Sequence, residues 1–261
     1  MFLIWLFSAG RAMAWEMPCI AAPYDYSYED ERRAICINRF IEENLVYYIA
    51  DVQVSSVDVW RTALSGKQMK PISEMLEGED VVLAINADDY RTHSNGIIIR
   101  NGELLRKKDT SRHLLIVDAN GDLRVMTNRK GASASSLAEE LLAERVWQTY
   151  EFGPALISEG LVLDFSEDFH LISTNAKQKE PRTAIGQIGP LHYCIIVVDG
   201  RREGHSEGMS LQDLQELFLT CGVETAFNLD GGGSTEMWFM GEVINRPSGA
   251  RERRVSDAIC F

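Results

Sequence analysis

Three consecutive C-terminal segments constrain this chain most: the apolar run "HYCIIVVDGR" (192–201), "SLQDLQELFLTCG" (210–222) and the apolar run "VETAFNLDGG" (223–232). The middle segment opens with Ser210 and Asp213 at capping-box spacing. It gathers Leu211, Leu214, Leu217 and Phe218 on one helical face and stops at Gly222. Strand, helix, strand predicts a crossover that joins two parallel strands of one sheet. Asp199-Gly200-Arg201 and Asn228-Leu229-Asp230-Gly231 then leave the same sheet edge, the place where α/β proteins hold ligands.

Upstream the signals are antiparallel. "GIIIRNGELLR" and "HLLIVDANGDLRVM" read as hairpins around Asn101-Gly102 and Asn120-Gly121. "YYIADVQVSSVDVW" alternates as one or two strands, and "VVLAINADDY" is a short apolar run with a polar end, Asn86, Asp88 and Asp89. "SLAEELLAERVWQTY" predicts a second helix opening with Ser136 and Glu139 at capping-box spacing. The expected class is α/β (mixed α+β): a mixed sheet with antiparallel hairpins, a C-terminal strand-helix-strand crossover, and helices packed on the sheet.

No internal repeat or low-complexity linker divides the 261 residues. Residues 15–45 read as an irregular, charged lead-in. The segment "MFLIWLFSAGRAMAW" is too short to span a bilayer, but Ala12-Met13-Ala14 has the small-x-small form of a cleavage site. Residues 1–14 therefore read as the remnant of an export signal or membrane anchor; a strand or helix packed on the domain is the alternative. The first reading places the protein in the secreted or cell-envelope compartment, with peripheral membrane association through the N-terminus. A net charge of −13 argues against nucleic acid as the partner. The five cysteines show no metal-ligand spacing. Cys194 and Cys221 sit in apolar segments as buried thiols, and a Cys19–Cys36 bridge would fit an oxidising compartment.

The chemistry concentrates in "NLDGGGST" (228–235). In a strand, Asn228 and Asp230 point to one face and Leu229 to the other. Gly231, Gly232 and Gly233 let backbone N–H groups converge on an anion, or let a ligand lie against bare chain, and Ser234 adds a hydroxyl. A glycine-rich turn with Asp230 as turn-former is the plainer alternative. The Gly-Lys-Ser/Thr ending of a nucleotide P-loop is absent. Arg182, after Pro181, can hold a phosphate or carboxylate or make a surface ion pair. His205 lies in the loop after Asp199, and the basic run "NRPSGARERR" contains Arg246, Arg251, Arg253 and Arg254. The runs "VVDGR" and "NLDGGG" offer two aspartates for acid–base work.

Taken in order, "AINADDY", "FGPALISEG", "PRTAIGQ", "VVDGRREGHSEGMSL", "NLDGGGST" and "VINRPSGARERRVSDAI" resemble the phosphodiester glycosidase family. The resemblance covers roughly residues 46–261 and implies a catalytic domain there. It implies hydrolysis of the bond between a sugar's anomeric carbon and a phosphodiester, with a phosphorylated carbohydrate as substrate; no cofactor is expected, and a divalent metal stays open. The resemblance places Asp230 and Asp199 in the pocket, and the chemistry of that reaction gives Asp230 the carboxylate role, with Asp199 as the second catalytic candidate, orienting or acting as base. The resemblance places Asn86, Arg182, Thr183, Gly200, Asn228, Gly231, Gly232 and Ser234 in the substrate pocket, and the reading of the residues adds Arg201, His205, Gly233 and Arg254 as candidate contacts. The glycine and aromatic that usually follow the first-motif asparagine are replaced here by Ala87 and Asp88. Two other readings compete: a non-catalytic binder of phosphorylated glycans, and a phosphodiesterase whose divalent metal is held by Asp199, Asp230 and Asp88.

Overall fold

A computed structural model describes residues 15, 18–127, 133–164 and 177–261. Residues 1–14, read above as a signal remnant or anchor, lie outside the described residues. The first third holds β1 (Tyr26–Glu29), β2 (Arg33–Glu42), β3 (Leu45–Val54), β4 (Arg61–Leu64), α1 (Ile72–Met75) and β5 (Leu83–Asn86). The middle holds β6 (Gly96–Arg100), β7 (Glu103–Lys108), β8 (Leu114–Val117), β9 (Leu123–Met126) and α2 (Ala134–Ala143). Then come β10 (Gln148–Tyr150), β11 (Ala155–Ser158), β12 (Leu161–Val162), β13 (Arg182–Gly189) and β14 (His192–Val198). The chain finishes with α3 (Leu211–Thr220), β15 (Thr225–Asn228), β16 (Met237–Phe239), β17 (Glu242–Val243) and β18 (Asp257–Cys260).

Eight strands form the large sheet in the order β1-β2-β3-β14-β13-β15-β11-β12, and five form a second sheet, β17-β16-β5-β18-β4. Strands alternate their side chains between faces, and that period builds both layers. From β14, Tyr193, Ile195 and Val197 point into a core shared with Leu83 and Ile85 of β5, Met237 of β16 and Ile259 of β18. Cys194, Ile196 and Val198 point the other way, against Leu211, Leu214 and Phe218 of α3. Burial on both faces explains why β14 reads as one apolar run. Each fully buried leucine or phenylalanine of α3 contributes roughly 1.5–3 kcal/mol. Ser210 caps α3 by accepting from the Asp213 N–H at 3.1 Å, as the spacing predicts. On α2 the cap falls earlier: Ser133, not Ser136, accepts the N–H, and it takes it from Ser136 itself.

The crossover joins two parallel strands of one sheet through α3, as expected, but the two strands are not neighbours. β14 and β15 do run parallel, but β13 lies between them and pairs antiparallel with both. Every pairing between described strands is antiparallel, so the fold is a strand-dominated α+β one. The common edge survives, because the ends of β14 and β15 flank the beginning of β13. Both predicted hairpins are present, as β6–β7 and β8–β9. The lead-in is not irregular: β1 and β2 extend the large sheet, and Ile35 and Ile37 of β2 are fully buried in its core. No helix among the described residues is long and apolar enough to cross a membrane.

Candidate active site

Pro181, just before β13, is wedged between the two aspartate-glycine turns. A side chain at Gly200 would meet the Pro181 nitrogen at 2.8 Å, and one at Gly231 would meet the Pro181 carbonyl at 2.8 Å. Glycine is required at both places because backbone presses on backbone. The turn after β15 is pinned by three main-chain bonds: Leu229 N–H to the Thr183 carbonyl, Asp230 N–H to Ala87 and Gly232 N–H to Pro181, at 2.8–2.9 Å. Asn86, at the end of β5, joins the two sheets. Its amide donates to the Asp230 carbonyl, and its Oδ1 accepts from Thr183 Oγ1 at 2.6 Å and from the Glu236 N–H at 3.0 Å.

Above this scaffold opens a cleft of about 270 Å³, lined by Asp89, Thr92, Phe152, Glu180, Pro181, Arg182, Arg201, Asn228, Leu229, Asp230, the three glycines, Ser234 and Arg253. Two guanidinium groups lie along the glycine turn. A Cβ on Gly232 would stand 3.1 Å from Arg201 Nη2, and one on Gly233 would stand 2.5 Å from Arg253 Nη1. Arg201 is itself held by Glu180 through Nε. A wider groove of about 670 Å³ beside α3, with Glu42, Glu43, Glu207, Asp213 and Glu216 on its walls, contains none of the motif residues assigned to the site.

Of the cleft carboxylates Asp89, Glu180 and Asp230, the first and last have opposite electrostatics. Burial pushes Asp230 up to about 6, helped by the charges of Asp89 and Asp88, while hydrogen bonds from Ser234 and the Gly231 N–H pull the other way. Burial acts on Asp89 too, but Arg112 and His93 outweigh it and hold that carboxyl below its ordinary range. Arg112 Nη1 donates to Asp89 Oδ1 at 2.7 Å, and His93 Nε2 lies 3.1 Å from the same oxygen. Carboxylates whose surroundings push their pKa values apart are a signature of acid–base sites.

The cleft therefore brings together Asp230, Asn228, Gly231, Gly232, Gly233, Ser234, Arg182 and Arg201 from the sequence-derived set. Asn228 donates through Nδ2 to the Gly153 carbonyl, and its buried Oδ1 has no protein partner. That acceptor suits a sugar hydroxyl. Two of the three glycine amides are already engaged, which narrows the cradle that the sequence suggests. Gly231 N–H donates to Asp230 Oδ1 and Gly232 N–H to Pro181, so the turn offers bare main chain as a floor. Arg182 directs Nε to the Met209 carbonyl and Nη2 to the Gln178 carbonyl. Burial pulls its pKa down to about 10, which leaves it charged at neutral pH.

Six residues stand elsewhere. Asp199 is sealed: Oδ2 meets His205 Nε2 at 2.8 Å, and Oδ1 accepts from Asn245 Nδ2 at 2.9 Å and the Arg246 N–H at 3.0 Å. Its side chain is fully buried, so Asp199 and His205 fix the loop that carries Arg201 and do not face the cleft. Gly200 packs on Pro181, and Thr183 and Asn86 bond each other beneath the floor. Arg254 donates to the Met69 carbonyl, and its neighbour Arg253 enters the cleft instead. Asp199, Asp230 and Asp88 are not among the groups of described residues whose ligand atoms lie within 4.8 Å of one another, which removes the metal site read from the sequence. Asp88, Asp89 and His93 do form such a group. Arg100 and two main-chain N–H groups engage Asp88, and Arg112 engages Asp89, so this group is already neutralised by protein.

The loop carrying Arg253 has its own anchor. Glu252 accepts from the Ser73 N–H and hydroxyl, and it sits beside buried Glu236. Burial first, then Glu252, pushes Glu236 up to about 9. A carboxyl that binds its proton more tightly when folded stabilises fully below its unfolded pKa and loses that contribution as pH rises to about 9. Glu236→Gln is therefore expected to gain on the wild type in urea-denaturation midpoint between pH 5 and pH 9; a constant difference across that range would refute the raised Glu236 pKa.

A family model described as phosphodiester glycosidase (NAGPA) matches residues 79–261. The chain belongs to the phosphodiester glycosidase family. As a member of that family it is similar to the SPbeta prophage-derived protein YomE of Bacillus subtilis (strain 168), with 30% identity over 212 residues. That match covers 78% of this chain and 31% of YomE, so the chain spans about a third of its relative's length. Its fold is similar to that of the catalytic domain of zebrafish N-acetylglucosamine-1-phosphodiester alpha-N-acetylglucosaminidase, auto-inhibited by its pro-peptide. The TM-score is 0.70 at 17% identity, covering 92% of this chain and 86% of that one. A Synechocystis protein of solved structure is similar with a TM-score of 0.55 at 14% identity, covering 88% of this chain and 62% of that one.

Proposed function

We propose that the cleft hydrolyses the glycosidic bond between a sugar's anomeric carbon and a phosphodiester of an envelope or extracellular glycan. One observation carries this reading: a half-buried carboxylate, Asp230, shares a cleft with two guanidiniums laid along a glycine turn. A phosphodiester departs as a weakly basic anion and needs little protonation. It needs donors around the departing oxygens, which Arg201 and Arg253 provide, with Arg182 adding positive charge behind them. The anomeric carbon, as it gains positive character, needs a nearby carboxylate to steady it or to activate water. Asp230 fills that role, and a pKa near 6 makes it a stronger base than a surface aspartate while leaving it ionised at pH 7. Asn228 Oδ1 and Ser234 meet the sugar. Asp199 acts as a positioning residue through His205 and the Arg201 loop.

Release of reducing sugar from a panel of sugar-1-phosphodiesters tests the reading, and a panel on which no sugar appears overturns it. Arg253→Ala is expected to lower kcat/KM on a responsive substrate by about 10–100-fold, the range for losing a hydrogen bond to a charged group. An unchanged value would remove Arg253 from phosphate binding. The small-x-small Ala12-Met13-Ala14 segment supports export.

A further inference from the structure

On the face of the large sheet that packs on α3, away from the cleft, Cys19, Cys194 and Cys221 bring their sulfur atoms within 4.8 Å of one another. They come from three parts of the fold. Cys194 lies in the middle of β14, Cys221 follows the last turn of α3, and Cys19 belongs to the strap that precedes β1. The strap is held in place: the Cys19 N–H donates at 2.6 Å to buried Asp51 Oδ2, which also meets His192 Nε2 at 2.8 Å. Asp51 stands directly opposite Cys194 in the β3–β14 register.

Three thiols in apolar surroundings satisfy one another poorly, because S–H is a weak donor and sulfur a weak acceptor. A single disulfide would use two of the three and strand the third. A soft cation uses all three. Zinc binds thiolate sulfur at ~2.3 Å, which sets tetrahedral sulfur–sulfur separations of ~3.8 Å, inside the limit observed here. All five cysteines are free thiols, and Cys36, the partner suggested by the sequence, is outside the cluster.

We propose that Cys19, Cys194 and Cys221 bind one zinc ion, with a solvent water completing the tetrahedron, and that the ion pins the N-terminal strap to β14 and α3. On binding, each thiol releases its proton to solvent and donates a sulfur lone pair to the cation, so no oxidant or reductant is consumed. Half-buried Cys19 marks the side from which solvent reaches the site.

The test is a cobalt(II) titration of the full chain, purified in reductant and stripped of metal. About one equivalent is expected to bind with a near-ultraviolet sulfur-to-cobalt charge-transfer band that zinc displaces. Cys19→Ser, on the strap and outside the core, should abolish the band with the circular dichroism unchanged, and Cys36→Ser should retain it. Zinc should raise the Tm of the wild type and leave that of Cys19→Ser where it was. A missing band, a band that survives Cys19→Ser, or a disulfide from Cys19 to Cys194 or Cys221 mapped in protein isolated without reductant would each overturn the site.

Discussion

Asp230→Asn is expected to lower kcat/KM on a sugar-1-phosphodiester by about 10²–10⁴-fold, the usual contribution of a positioned acid or base. The substitution preserves the side chain's size and leaves the turn intact, since the Asp230 N–H and carbonyl are held by Ala87 and Asn86. Affinity for the substrate should therefore change little, and the loss should fall on kcat. Wild-type kcat/KM should fall on the acid side with an apparent pKa near 6, because the base is lost as Asp230 protonates. Asp89→Asn should move that limb to lower pH, because the Asp89 charge is one of the causes that raises Asp230. A binding protein would instead show unchanged affinity and no turnover in either form. Undiminished turnover in Asp230→Asn would remove Asp230 from the chemistry.

Arg100→Leu is expected to cost about 3–5 kcal/mol of folding stability, the range for stranding the partners of a buried ion pair. Arg100 is fully buried at the end of β6. Nε donates to Asp257 Oδ2 at 2.8 Å, Nη2 reaches Asp88 Oδ2 at 3.4 Å, and Nη1 donates to the Ile99 carbonyl at 3.1 Å. The guanidinium carbon also lies 4.4 Å from the Tyr150 ring centre. Burial alone opposes the charge, but Asp257, Tyr150 and Asp88 outweigh it and hold the proton more tightly than water does. Leucine would leave two carboxylates facing each other without a cation. Arg100→Lys should recover only part of the loss, because an ammonium lacks the planar fork that meets both carboxylates. Urea-denaturation midpoints at unchanged m-value measure both variants. A loss under about 1 kcal/mol for Arg100→Leu would show the cluster to be dispensable.

The consequence extends to the cleft. Asp88 Oδ1 accepts the Asp89 N–H at 2.8 Å, so the buried cluster sets where Asp89 begins. The Asp88–Asp257–Arg100 arrangement was not legible in the sequence, because its members are separated by 157 residues between Arg100 and Asp257. Long-range charge pairing leaves no local spacing to read.

What the sequence carried well was local. Asn228-Leu229-Asp230-Gly231 announced itself because strand alternation and close backbone packing act within a few residues. The common edge of β13, β14 and β15 was readable from the helix between two apolar runs. The insertion of β13 was not, because nothing local says which strand fills the gap. The sealing of Asp199 is illegible for a related reason: its neighbours Asn245 and Arg246 arrive from 46 and 47 residues away. The basic run has no periodic pattern to say whether Arg253 or its neighbour Arg254 enters the cleft. Phe152 was present in the quoted "FGPALISEG" run, and Asp89 at a recognised strand end, but only the cleft shows that both face Asp230 from another part of the chain. The strands β1 and β2 are hard to read because Arg33 and Arg39 share the face of Ile35 and Ile37, which breaks the apolar alternation on the core side.

The most direct measurement is hydrolysis of a responsive sugar-1-phosphodiester in oxygen-18 water, followed by mass analysis of the phosphate product. Attack at the anomeric carbon, assisted by Asp230, predicts a phosphomonoester without label. Label in the phosphate would mean that water attacked phosphorus, which contradicts a glycosidase.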